Sequence, residues 1–167
     1  VDGHAKCVAE SLPEALIVDM DGTLCDVSGI RHLVTLGSER TRRNFDAFHS
    51  ASIDCPAHAA VADAVRVRYA AGDRVLIVTA RESRWGHLTA LWLSEHNVPY
   101  DEMFMRADRD GRPDVDVKRD ICHEIQRRYN PTLAIDDRDD ILAVWRDAGI
   151  ATLKVDSAGG LQVGDGA

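Results

Sequence analysis

The sequence predicts an α/β fold: a Rossmann-like, doubly wound parallel sheet of about five strands, with a small insertion after the first strand. Three observations carry that expectation. Short β-branched apolar runs recur along the chain, beginning with Ala15–Val18 and Val75–Val78. Segments with helical apolar spacing separate them, which favours parallel strands joined by crossover helices and covered on both faces. Polar clusters follow the runs at Asp19–Asp21, Thr79–Arg81 and Asp136–Asp137, and sites in such sheets form beyond the carboxyl ends of the strands.

Taken in order, Ala15–Val18 is too short and too β-rich for a helix. Residues 26–56 show no long clean period and read as an insertion with one or two short helices. Val61, Ala64, Val65 and Tyr69 place a helix over 57–71, stopped at Gly72. Val75–Val78 is the second strand and runs out into Thr79, Ala80 and Arg81. Ser83 is placed to cap the next helix, whose inner face holds Trp85, Leu88 and Trp92, with Leu91 at its margin; Asn97 and Pro99 end it. Glu102–Met105 is the third strand, and Val117, Ile121 and Ile125 mark a helix over 115–129. Leu133–Ile135 is the fourth strand. Ile141, Val144, Trp145 and Ala148 mark a helix closed by Gly149, and Ile150–Val155 is the fifth strand. Trp85, Trp92 and Trp145 all fall on apolar helix faces and are expected in the core. Residues 1–14 read as an N-terminal extension, 15–156 as the domain with its insertion at about 26–56, and the Gly-rich 157–167 as a flexible tail.

The 167 residues suit one domain with a real core, and 45% hydrophobic with 29% charged residues is ordinary globular composition. A net charge of -8 argues against a broad nucleic-acid surface and leaves room for a small basic mouth. No apolar run approaches membrane-spanning length, so no membrane partner is expected. Residues 1–13 carry Asp2, His4, Lys6 and Glu10 and no apolar core, unlike a signal peptide. The 4 cysteines form no CxxC pair and the 7 histidines no HxxxH or HExxH spacing. Zinc is therefore not expected, the histidines read as surface or helix-packed residues, and reduced thiols fit a cytoplasmic location. The start at Val1 reads as an excised or processed piece of something larger.

In "LIVDMDGTL" a buried strand runs into two carboxylates one residue apart, which repel each other. Carboxylates converging on one sheet edge want a hard cation, most naturally Mg²⁺ bound through oxygens beside a phosphate. Thr79 offers a hydroxyl and Arg81 a fork that matches phosphate oxygens. A helix starting near Ser83 adds N-terminal amides. One carboxylate can attack phosphorus while a second serves as acid, then as base. Each piece has a plain alternative as a solvated loop, a turn or a helix-start acid. What raises them together is that each follows a strand, in chain order.

"DMDGTL" resembles the DxDGT signature of the haloacid dehalogenase-like (HAD) phosphohydrolase superfamily. "VLIVTAR" looks like its second motif and "LAIDDR" like its fourth, acidic one, so the likeness spans about residues 15–155. Within the superfamily, "VTARES", "AIDDRDDILAVWRDAGI" and "FDAFHSASIDCP" are similar to the 3′-phosphatase domain of phage polynucleotide kinase-phosphatase. The resemblance implies a HAD-like sheet with the insertion as a small cap. It implies Asp19 as the nucleophile and Asp21 as the general acid-base that gives Mg²⁺ its backbone carbonyl. Thr79 would bind the transferring phosphoryl group and Arg81 the substrate phosphate. Asp136 and Asp137 would complete the metal site with Asp19, either one binding directly and the other through water. Lys118, opening the helix before the fourth strand, is the candidate for the lysine that neutralises the phosphoaspartate; a solvated surface lysine is the alternative. Asp114 either orients Lys118 or caps that helix.

The implied activity is that of a Mg²⁺-dependent phosphomonoesterase working through an aspartyl-phosphate, removing 3′-phosphate from nucleic-acid ends. A phosphatase of free nucleotides, a phosphotransferase or mutase, and a non-catalytic HAD-like module of a repair enzyme are the other readings. Only Glu39 offsets Arg31, Arg40, Arg42 and Arg43 in the insertion, so Arg42 and Arg43 are candidates for guiding the phosphorylated end of a strand, against a merely solubilising surface. No GxxxxGK[ST] loop occurs, so the chain reads as either an excised phosphatase domain, with a kinase domain or a repair ligase as an implied partner, or a stand-alone phosphatase.

Overall fold

The computed structural model describes residues 11–35 and 42–163, the side chains of Arg42 and Arg43 excepted. In chain order its elements are β1 (Glu14–Val18), α1 (His32–Thr35), α2 (Arg42–Ala51), α3 (Ala59–Ala70), β2 (Arg74–Glu82), α4 (Gly86–Glu95), β3 (Glu102–Arg106), α5 (Asp114–Gln126), β4 (Asn130–Asp136), α6 (Asp139–Asp147), β5 (Ala151–Val155) and β6 (Leu161–Val163). Single 3₁₀ turns occupy Ser28–Ile30, Ser52–Asp54 and Ser83–Trp85.

Alternation along β1 explains why the sheet is covered twice. Leu16 and Val18 pack to one side with Val61 and Val65 of α3 and Trp92 and Leu93 of α4. Ala15 and Ile17 pack to the other with Val117, Ile121 and Ile125 of α5 and Ile141 and Trp145 of α6. A strand buried on both faces reads as a continuous apolar run. The six-stranded sheet has the order β3-β2-β1-β4-β5-β6. Every neighbouring pair is parallel except β5 with β6. The order reverses beside β1, and the crevice at that switch point is where an open α/β sheet admits a ligand.

Four expectations are corrected. The Gly-rich end does not fray over 157–163, and it adds a sixth strand to the expected sheet of about five. The Asp156 carboxylate accepts backbone N–H bonds from Ala158 and Gly160, both at 2.9 Å. Gly159 takes φ +80°, and the chain returns as β6. β2 does not stop at Val78: after a register shift its pairing resumes with Glu82 opposite Arg106, so Thr79 and Arg81 lie inside the strand. Ser83 caps no helix. Its hydroxyl donates to Asp108 at 3.0 Å, and a 3₁₀ turn precedes α4. Finally, Trp92 and Trp145 are core residues, whereas Trp85 is half-buried and lines a cavity. The extension and tail readings over 1–10 and 164–167, and Arg40 in the insertion, lie outside the described residues.

Candidate active site

The loop after β1 turns tightly on its own backbone. Leu24 N donates to Asp19 O at 3.3 Å and Cys25 N to Met20 O at 2.8 Å. Gly22 sits at φ +86°, where an added Cβ would lie 2.5 Å from Asp137 Oδ2. Glycine is therefore required there twice over, by backbone conformation and by the approach of the β4 edge.

Three carboxylates meet at the switch point. Asp19 follows β1, Asp136 ends β4, and Asp137 follows it; one oxygen of each lies within 4.8 Å of the others. Lys118 reaches them from α5, its ammonium donating to Asp19 Oδ1 at 2.8 Å and to Asp136 Oδ2 at 2.7 Å. It is 3% exposed, which removes the solvated-surface alternative. Asp136 also accepts the Arg138 backbone N–H at 3.2 Å. Burial pushes the Asp19 carboxyl up to about 8, against the opposing pull of Lys118 and with help from the charges of Asp136 and Asp137. Burial alone would neutralise Lys118, yet Asp136 and Asp19 together hold its ammonium above the ordinary lysine range. The two shifts pull opposite ways. The lysine decides the matter, because its charge answers two carboxylates at once and keeps Asp19 an acceptor. Burial and the neighbouring Asp136 charge also raise Asp137, with Arg31 opposing. One ammonium among three carboxylates leaves uncompensated negative charge in an all-oxygen donor set, which suits a hard cation such as Mg²⁺.

Asp21 is held differently. Arg81, 1% exposed, donates from Nε to Asp21 Oδ2 at 2.9 Å and from Nη2 to Oδ1 at 2.5 Å. Its Nη1 donates to Thr89 of α4 at 3.1 Å. Burial would raise the Asp21 carboxyl, but the Arg81 charge and its paired hydrogen bonds outweigh it and hold the group below its ordinary range. The phosphate contact expected of Arg81 is thus occupied by Asp21. Thr79 Oγ1 accepts the Arg81 backbone N–H at 3.2 Å.

The expected set of Asp19, Asp21, Thr79, Arg81, Lys118 and Asp137 lines one cavity of about 1020 Å³, with Asp136 beneath it. The side chains of Arg42 and Arg43 lie outside the described residues, so their substrate contacts find no geometry here. Asp114 orients no lysine: it binds the guanidiniums of Arg106 and Arg138 and so ties α5 to the ends of β3 and β4.

Sequence reasoning singled out Arg31 only among the basic residues of the insertion, placed Trp85 in the core, and missed Phe45, Phe48, His49 and Arg84 as lining residues. Arg31 Nη2 donates to Asp137 Oδ2 at 3.3 Å. His49 packs in a helix as expected, but its Nδ1 stands 4.0 Å from Asp21 Oδ2, with no hydrogen-bond partner. Burial pushes the His49 imidazole down to about 4, against the pull of Asp21, so it is neutral at pH 7. Phe45, Phe48, Arg84 and Trp85 complete that side. The available signal was the Phe45–His49 spacing of one helical turn inside an insertion with no longer period.

A family model of the polynucleotide kinase PNKP phosphatase domain matches residues 13–159. The chain belongs to that family. It is accordingly a HAD-type phosphatase domain and a phosphohydrolase, as the resemblance implied. Among solved structures, a chain of a Pnkp1/Rnl/Hen1 RNA repair complex matches at TM-score 0.72 and 25% identity, over 86% of this chain and 42% of that one. A class C acid phosphatase from Bacillus anthracis, with tungstate bound, matches at TM-score 0.63 and 12% identity, over 84% of this chain and 63% of that one. A haloacid dehalogenase-like hydrolase from Streptococcus pneumoniae matches at TM-score 0.63 and 16% identity, over 90% of this chain and 88% of that one. The last two likenesses bear on fold alone. This chain spans about half the length, 42% and 51%, of the repair-complex chains it matches. Among the described residues no helix is long and apolar enough to cross a membrane.

Proposed function

We propose that this phosphatase removes the 3′-phosphate from nucleic-acid ends, with Mg²⁺, through an aspartyl-phosphate on Asp19. One observation carries the reading: Asp19 is buried at the floor of an arginine-lined cavity, with Lys118 on its Oδ1 and the carboxylates of Asp136 and Asp137 alongside. Its other oxygen attacks phosphorus as the bond from phosphorus to the 3′ oxygen breaks. Asp21 gives that leaving oxygen its proton. A water then attacks the phosphoaspartate, losing its proton to Asp21, and inorganic phosphate leaves with Asp19 restored. Asp19, Asp136 and Asp137, with the Asp21 backbone carbonyl, would hold Mg²⁺, which when bound supplies charge neutralisation at the phosphoryl oxygens. Lys118 balances Asp19 and Asp136 before and after transfer. Arg81 has two anionic claimants, Asp21 and the incoming phosphate. As the phosphate draws the guanidinium off, Asp21 loses the contact that keeps it ionised and takes up a proton from solvent, which it then donates to the leaving oxygen.

The rim supports a chain end over a long strand. Most of its arginines are already paired with acids, Arg31 with Asp137, Arg112 with Asp110 and Asp120, Arg138 with Asp114 and Asp140. Little net positive field remains, in keeping with the net charge of -8. The likeness to a chain of an RNA repair complex supports a kinase domain or a ligase as partner.

The test is release of phosphate in Mg²⁺ from 3′-phosphorylated DNA, 3′-phosphorylated RNA, 2′,3′-cyclic ends and 3′-mononucleotides. The oligonucleotides are expected to turn over, and Asp19→Asn to lower kcat by at least about 10⁴-fold. Wild-type turnover of the mononucleotide alone supports a free-nucleotide phosphatase instead. Activity retained in Asp19→Asn removes the nucleophile.

A further inference from the structure

We propose that the cap side of the cavity is a stacking subsite for the nucleobase of the terminal nucleotide, built from Phe45 of α2 and Trp85 of the turn before α4, with Arg84 and His49 as its support. The proposal rests on the 3′-phosphatase reading and names what that reading leaves open, how the nucleoside is gripped. Phosphoryl transfer needs charges and hydrogen-bond donors, and the floor supplies them. It gives no reason for an aromatic wall beside them.

That wall is continuous and braced. The Phe45 and His49 ring centroids are 6.1 Å apart at 31°, and those of His49 and Trp85 are 5.7 Å apart at 52°. Phe48 backs His49 edge-on at 5.3 Å. The Arg84 guanidinium lies 5.0 Å from the Trp85 ring centroid and binds Asp46 on α2 and Glu82 at the end of β2, so it locks the two halves of the wall together. Phe45 is 36% exposed although it is a large apolar side chain at a cavity, which an unoccupied hydrophobic contact would explain.

Position commits the wall to one occupant. His49 joins wall to floor, its Nδ1 4.0 Å from Asp21. A group stacked on Phe45 and Trp85 is therefore the one attached next to a phosphate held at Asp19, and in a 3′-phosphorylated end that group is the terminal nucleoside. The cavity, about 1020 Å³, is far larger than a phosphate needs and is of the size that encloses a whole small ligand. Aromatic stacking accepts every base, since each has a π-face, and rejects a sugar that has lost its base.

The experiment compares kcat/KM for a 3′-phosphorylated oligonucleotide with the same oligonucleotide whose 3′-terminal nucleotide is abasic, using the full chain. The wild type is expected to prefer the intact end by about tenfold, mostly through KM. In Phe45→Leu and in Trp85→Leu that preference is expected to fall toward unity. Phe45 is the safer variant for folding, since it is partly exposed, and turnover of the abasic substrate by each variant reports a folded enzyme. Equal kcat/KM for intact and abasic ends in the wild type, or an unchanged preference in Phe45→Leu, overturns the subsite while leaving the phosphatase reading intact. Wild-type inactivity on every 3′-phosphorylated substrate overturns both.

Discussion

Around Asp19 the charged groups are largely buried, and Lys118 answers two of the three carboxylates. Lys118 is 3% and Asp136 1% exposed, and each hydrogen bond between them spans 2.8 Å or less. Across the same cavity the insertion and the turn before α4 offer rings and partly exposed arginines, and Arg84 bound to Asp46 links the two at the rim. The floor hangs on the ends of parallel strands whose positions the sheet dictates. The wall hangs on a short helix and a 3₁₀ turn. Geometry for bond-making is thus placed where the fold is stiffest, and recognition where it is easiest to vary.

Three further measurements bear on that contrast. Lys118→Met removes the cation from the floor and leaves buried carboxylates unanswered. A stability loss of roughly 3–5 kcal/mol by urea unfolding is expected, together with loss of turnover. A variant as stable as the wild type would mean that the floor does not depend on its lysine. On the wall, the His49 imidazole stands at about 4 when folded, below its usual range. The neutral form is favoured by folding, so the unfolded chain binds more protons between pH 6.5 and 4. Stability is present above that window and is lost as pH falls through it, by at most about 3 kcal/mol. His49→Phe is expected to flatten the stability curve over that interval, and an unaltered curve in urea melts at pH 7 and pH 4.5 would exclude His49 as its source. The smallest effect belongs to Gly22→Ala, about 1–2 kcal/mol for a side chain at positive φ. Because its Cβ meets Asp137, phosphatase activity should fall by more than that strain implies, and steady-state kinetics at saturating Mg²⁺ checks this.

Much of the floor is legible in the sequence because parallel strands buried on both faces leave continuous apolar runs, and polar residues at their ends converge by topology alone. Lys118 was named through the resemblance alone, with a surface lysine as the alternative, although a local signal was there. It shares the stripe of Ile121, Cys122 and Ile125 on α5, a spacing that turns it inward. Arg81 was read as a phosphate ligand, and no pattern in one chain announces that it closes on Asp21 across 60 residues of sequence. The extension of β2 through Thr79 and Arg81 depends on β3 resuming its pairing, which is a tertiary event. The wall was least legible, since α2 spans three turns at most and its apolar residues include a histidine.

The short return strand β6 bears on how the molecule behaves in a crowd. Without it β5 would present an unpaired row of backbone donors and acceptors, a template for joining a second sheet. β6 satisfies that row from within the same chain, with Leu161 opposite Val155 and Val163 opposite Leu153. Among the described residues the new outer border is three residues long, a short template for intermolecular strand addition. A glycine-rich stretch that looks dispensable thereby guards this border of the sheet against aggregation.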